Sequence, residues 1–434
     1  MARTRLIGGV ALGAIAAIAS FACGAQQSSN QTTGPQPGIT KDTITIGATF
    51  PASGPASAYY SVAKGADAYF EYVNAHGGVA GGHKIKFIVL DDQYSANVTP
   101  AKARELVEQD NVFLTFGDLG TPNNLAVRDY YNQQKVPQVQ VFTGSDHWGN
   151  DYSQFPWTMG WQPDYGAESI IYAKYVKENE SSAKIAILFQ NDDYGQDYVK
   201  GLQKGFGSDY DKFVVKTATY NQGDPTDMSS QVNQLKASGA TSFYVVATPA
   251  YAANAVTNAV KSGWNPKLIM NNVSASASTW RGVSKSLGSS AQLDGMISTA
   301  YLKDPLDTAR YANDKGVQLF KTVMTDYGSA LATPACPADG SDAFCVAGMG
   351  SAYTLVSVLN KAQKDGQLTR KHVMDIECCN LHITDDPLLL PGMVVYTSKT
   401  DHFPIRQMQV EKWQTDHWVL VGNLLDGRPG GTPK

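Results

Sequence analysis

Charge is what this sequence is short of: Asp, Glu, Lys and Arg make up 17% of 434 residues, and the formal net charge is −4. No run of Lys and Arg is long enough to track a phosphate backbone, which argues against nucleic acid as a partner. Cysteine is scarce too, with five in the chain; their spacings repeat no zinc-ligand pattern, and the seven His are scattered. The motifs GxSxG, HExxH, GxxxxGKS/T and CxxC are absent, and no nucleophile stands beside a base at a recognisable spacing. An enzyme is therefore not expected, nor is a metal or a cofactor. Asp91-Asp92 and Asp192-Asp193 are the acidic pairs that an enzyme reading would use. Each follows an expected strand, where a carboxylate caps the next helix or holds the turn.

What is present is the composition of a globular protein: 43% hydrophobic residues with 40 Gly, 20 Pro and 22 Tyr. The length favours two or three folding units over one. At the N-terminus Arg3 and Arg5 precede an apolar run over residues 6–22 that ends at Cys23, and a polar stretch follows over 24–37. The run is short for a membrane span, so residues 1–22 are expected to be an export signal. Ala22 before Cys23 and Gly24 after it resemble the lipobox of bacterial lipoproteins, in which the cysteine sulfur is acylated, although Ser20 and Phe21 depart from that motif. Ordinary secretory cleavage, with Cys23 lost or left free, is the alternative. Residues 23–41 would then be a lipidated cysteine and a flexible tether, too polar to bury a core. The other four cysteines, Cys336, Cys345, Cys378 and Cys379, are an even number in an exported chain and so suggest disulfides. Cys336 and Cys345 flank a local loop, CPADGSDAFC, yet three pairings stay open, a vicinal Cys378–Cys379 bridge among them.

From Thr43 onward short β-branched runs alternate with amphipathic stretches, the pattern of parallel strands joined by helical crossovers. Strands are expected at 43–48, 85–90, 112–116, 137–142, 184–189, 213–217 and 242–247, with a further one at 267–270. Helices are expected at 62–75, 99–110, 122–134, 165–177, 195–206, 229–238 and 252–262. Two such series follow one another, with a break over 155–165 (FPWTMGWQPDY) that marks a lobe boundary. Ligands of open parallel sheets sit beyond the carboxyl ends of the strands, so two sheets meeting there would enclose a cleft.

Six motifs recur in order: IGA at 46–48 with SGP at 53–55, NAHGGVAGG at 74–82, LDDQYS at 90–95, FGDLGT at 116–121, DDYG at 192–195 and YNQGDPTDMSSQ at 220–231. Together they resemble the branched-chain amino-acid and amide receptors of the type I periplasmic-binding-protein fold, from about Ile39 to Gly422. The resemblance implies an α/β fold of two Rossmann-like lobes with parallel central sheets, joined by a three-stranded hinge. It implies a first lobe built from 42–160 and 297–390 and a second from 161–296 and 391–434, with residues 295–298 as a hinge crossover and the last hinge strand inside 388–422. It further implies a receptor for a small-molecule solute that works with an ABC permease, lipid-anchored at the outer face of the cytoplasmic membrane. An envelope sensor of the same fold is the alternative.

Within that frame the site residues follow. Gly54-Pro55 makes a turn that would bring Tyr59 to the cleft mouth. Thr121 after Gly117 and Gly120, and then Thr143, Gly144 and Ser145, form small polar turns after strands, able to hold a carboxylate or simply to cap helices. Tyr194 matches the tyrosine that faces the ligand from the second lobe in the family. Where amino-acid receptors place an acid for the ammonium, this chain has Asn271-Asn272-Val273-Ser274, and Pro249 stands near a usual aromatic. Val273 and Pro249 are thus expected at the ligand. The ligand is expected to be a carboxylate or amide without a free ammonium, suited to Tyr59, Tyr60, Trp148, Tyr194 and Tyr251.

Overall fold

Two sheets dominate the architecture, the first parallel throughout and the second parallel apart from a C-terminal hairpin. The computed structural model describes residues 36–427. The export segment, Cys23 and most of the tether lie outside the described residues. The first sheet contains β1 (Thr43–Phe50), β2 (Lys84–Asp91), β3 (Leu114–Phe116), β4 (Gln138–Val141) and β5 (Thr158–Gly160), in the order β2-β1-β3-β4-β5. All of its pairings are parallel. β3 and β4 are buried at every position, as strands covered on both faces must be.

The second sheet repeats that winding with β6 (Ile185–Gln190), β7 (Val214–Tyr220), β8 (Ser242–Val246), β9 (Lys267–Met270) and β10 (Ile297–Ala300). Its full order is β14-β13-β10-β9-β8-β6-β7, so its parallel part has the same switch point as the first sheet, between its first and third strands. β13 (Gln407–Gln414) and β14 (His417–Asp426) form an antiparallel hairpin on the β10 edge. β11 (His382–Ile383) and β12 (Val395–Tyr396) make a separate two-stranded ribbon.

Two expectations are corrected. Residues 295–298 are not a hinge crossover, and the boundary expected at 297 falls later. Ile297 pairs with Ile269 of β9, and β10 runs antiparallel to β13, because ISTA is a buried run that extends the second sheet. The chain crosses back at 301–303, where the Lys303 N–H donates to the Leu388 carbonyl and the Leu390 N–H to that of Tyr301. A helical segment absent from the sequence reading follows, including helices Lys315–Tyr327, Ala343–Lys364 and Arg370–Cys379. The first two of these pack on helix Tyr60–Ala75, which places them in the first lobe. The long apolar helix Ala343–Lys364 has the length and composition of a membrane span but is mostly buried in that lobe.

One member of each acidic pair is tied into the fold. Asp92 accepts from the Tyr94 N–H at 3.0 Å, the Thr99 hydroxyl at 2.8 Å and the Asn123 amide at 2.8 Å. Asp192 caps helix Asp193–Phe206 by accepting from the Gly195 N–H. Cys336 is bridged to Cys345 and Cys378 to Cys379, which selects one of the three pairings.

Candidate functional site

The carboxyl ends of both sheets converge on one cavity. From the first lobe it is lined by Tyr59 after β1, Tyr94 after β2, Leu119 and Gly120 after β3, and Phe142 after β4. From the second come Tyr194 after β6, Thr248 after β8, Asn272 and Val273 after β9, and Ala300 at the end of β10. The crossovers contribute Gln162 and residues 301–305, and the C-terminal hairpin closes the far side with Glu411 and Trp418. The empty space between the lobes, with open solvent at its mouth included, is about 980 Å³.

Aromatic rings make most of the wall and support one another edge to face. Tyr59 meets Phe344 with centroids 5.1 Å apart, and Tyr194 meets Tyr165 at 5.2 Å. Tyr194 is also pinned by the Asn271 amide, which donates to its hydroxyl at 2.6 Å. Beneath Asn272 lies Glu168, which accepts from the Tyr198 hydroxyl at 2.6 Å, the Asn272 N–H at 2.7 Å and the Tyr172 hydroxyl at 2.8 Å. Burial nevertheless pushes its carboxyl up to about 7. Among the described residues no group of three His, Cys, Asp or Glu is arranged to hold a metal ion.

Of the residues singled out in the sequence, Tyr59, Tyr194 and Val273 line this cavity. Thr121, Thr143, Gly144, Ser145 and Pro249 do not. Their polar groups are spent elsewhere: the Thr121 and Thr143 hydroxyls bond each other at 2.6 Å, and the Ser145 N–H donates to the Thr143 hydroxyl at 3.1 Å. The Gly144 carbonyl accepts from the Tyr165 N–H at 2.8 Å. Pro249 opens helix Pro249–Lys261, leaving Thr248 at the wall. Tyr60, Trp148 and Tyr251 also stand outside the lining. The residues that sequence reasoning missed include Tyr94, Tyr165, Tyr301, Phe344, Asp304 and Glu411. Tyr165 carried a signal, since it ends the break that was read as a lobe boundary.

Ser145 has a second task. Its hydroxyl donates to Asp197 Oδ2 of the second lobe at 2.7 Å, and Gln222 reaches Asn123 across the same gap at 3.3 Å. On the other side the Ser278 N–H donates to the Ser341 carbonyl at 2.7 Å. These bonds join the lobes on both flanks of the cavity. Ser145→Ala is therefore expected to weaken solute binding about fivefold, because a hydrogen bond to a carboxylate is lost in the closed form and water replaces it in the open one. Calorimetry and the dissociation rate check this, and unchanged affinity would remove Ser145 from the latch.

A family model described as a periplasmic binding protein matches residues 43–417. The chain belongs to that family. Solved structures of similar fold include a branched-chain amino-acid ABC transporter protein from Thermus thermophilus with bound valine, at 14% identity, TM-score 0.75, covering 89% of this chain and 97% of that one. A fatty acid ABC transporter substrate-binding protein from Thermomonospora curvata is 19% identical with a TM-score of 0.72, covering 91% of this chain and 95% of that one. A solute-binding protein from R. palustris in complex with 4-hydroxybenzoate is 18% identical with a TM-score of 0.70, covering 89% and 96%. A comparison with curated proteins returned no match. As a periplasmic binding protein, the chain has its interlobe cavity where two open sheets put their switch points face to face.

Proposed function

We propose that this chain is the extracytoplasmic receptor of an ABC importer. It closes its two lobes on a small carboxylate- or amide-bearing solute, amino-acid-like or aromatic, and presents the closed form to a membrane permease. A lipid on Cys23 would hold it at the outer face of the cytoplasmic membrane. The reading is carried by one observation: an aromatic-walled cavity receives the carboxyl ends of both sheets. Related folds hold valine and 4-hydroxybenzoate, which span that ligand range.

Tyr59 and Val273 would grip the solute from opposite lobes, with Tyr194 supplying a ring face and a hydroxyl. Ligand contacts to both lobes would shift the population toward the closed arrangement. Mass spectrometry of what co-purifies, followed by calorimetric titration of that solute, tests this. Tyr194→Ala is expected to lower its affinity about tenfold, the loss of one aromatic contact and one hydrogen bond. A protein that carries no small molecule and binds none from an amino-acid and aromatic-acid panel would end the receptor reading.

A further inference from the structure

Three residues with a formal charge face the cavity: Lys303, Asp304 and Glu411. The lysine is already committed, because its ammonium donates to both Asp314 oxygens at 2.9 Å and to the Pro387 carbonyl at 2.8 Å. All three of its donors are used, so it offers an incoming anion nothing. The acids are in the opposite situation. Glu411 is 5% exposed, and burial and two neighbouring acids act on its carboxyl with no hydrogen bond beside them. Asp304 accepts from the Leu306 N–H at 2.9 Å through one oxygen and has the Trp418 backbone N–H facing its carboxyl, while Oδ2 makes no hydrogen bond of ordinary geometry. Ser298, opposite Glu411 in the β10–β13 ladder, also leaves its hydroxyl unpaired.

A buried carboxyl without a donor is costly unless a partner arrives. The surrounding wall, with Tyr59, Tyr165, Tyr194, Tyr301, Phe344 and Trp418, attracts one sign of charge, since ring faces are electronegative. We propose that the solute presents an ammonium group to Glu411 and Asp304, with its apolar body against the aromatic wall. This rests on the receptor reading and reverses the expectation of a ligand without a free ammonium: the nitrogen is recognised from the crossover and the C-terminal hairpin, not from the loop after β9, which lacks an acid.

Binding is then an exchange. Where a proton sits on Glu411 in the free protein, it goes to solvent on binding and the carboxylate pairs with the ammonium, so one positive charge enters as one leaves. Burial, followed by the nearby charges of Asp304 and Glu168, raises the Glu411 carboxyl well above its ordinary value. Asp304 is raised to about 6, chiefly by burial, with His417 and Asp307 also facing it. Protons compete with the cation for both carboxylates, so affinity rises with pH, by up to about tenfold per pH unit for each proton released.

The test uses three probes with one phenyl ring and different head groups: phenethylammonium, hydrocinnamamide and hydrocinnamate. Phenethylammonium is expected to bind at least tenfold more tightly than the other two at pH 8 and to weaken at least tenfold by pH 5. Its heats in buffers of different ionisation enthalpy should report proton release. Glu411→Gln and Asp304→Asn are each expected to cost about tenfold for the cation, to flatten its pH profile, and to cost hydrocinnamamide less than they cost the cation. The pH profile and proton count of the unaltered protein need no variant to fold. Hydrocinnamate or hydrocinnamamide binding as tightly as phenethylammonium, a pH-independent affinity, or a co-purified solute without a basic nitrogen overturns the ammonium site while leaving a receptor. Binding of no probe, with nothing co-purifying, overturns both.

Discussion

Gly348→Val is expected to lower the stability of the protein by about 3 kcal/mol and to weaken solute binding with it. Gly348 lies on helix Ala343–Lys364 where that helix crosses helix Tyr60–Ala75, and a Cβ added there would stand 2.0 Å from the Val62 carbonyl oxygen and 2.9 Å from the Ala66 nitrogen. The crossing is tight from both sides, since a Cβ on Gly65 would stand 2.2 Å from the Cys345 carbonyl oxygen. Both clashes are with backbone, so no rotamer change relieves them, and the helices must separate. Val62, Ala343 and Phe344 line the cavity from these two helices, so separation also displaces its wall. Gly282→Ala is the control: nothing lies within 4 Å of its added Cβ, and a helical Ala there is expected to be neutral to slightly stabilising. Urea unfolding of both variants decides the matter, and equal midpoints would show that the crossing is looser than drawn.

Replacing Glu377 with Gln is expected to stabilise the protein by on the order of 3 kcal/mol at pH 8 and to change little near pH 4. Glu377 is fully buried; one oxygen accepts from the Gln140 amide at 2.9 Å and the other has no partner. Burial pushes its carboxyl from 4.5 to about 7. Because the folded value is the higher one, the folded protein binds more protons than the unfolded chain between those two pH values. Stability is therefore lost as pH rises from about 4.5 to about 7, then stays low. Gln mimics the protonated acid and removes the loss, while the bond to Gln140, itself held by the Ser351 hydroxyl at 2.8 Å, is kept. A difference between variant and parent that is the same at both pH values would contradict a buried, proton-binding Glu377.

Much of the fold was legible because its signals are local. KIAILF and SFYVVA can be covered on both faces or not fold at all, and Asp192 before an amphipathic stretch announces its helix. Residues 295–298 were placed as a crossover because a short run with no alternation carries no record of which sheet it joins; pairing of Ile297 with Ile269 and of β10 with β13 decided that. The helices after residue 307 were missed in a stretch where no strand rhythm framed them.

The site divided along the same line. Tyr59 and Tyr194 were found from motifs that follow strands, whose carboxyl ends must meet at a cleft once two such sheets face each other. By itself the sequence determined two parallel-sheet lobes, a ligand space between them, and the absence of catalytic machinery motifs, since each follows from periodicity or residue type along the chain. The tertiary structure alone decided that Thr121, Thr143 and Ser145 spend their hydroxyls on each other and on the opposite lobe. It alone brought Asp304 and Glu411, 107 positions apart by their numbers, to the same cavity wall. Whether a carboxyl is solvated, paired or stranded depends on what the folded chain places around it, and neighbours in sequence do not carry that information.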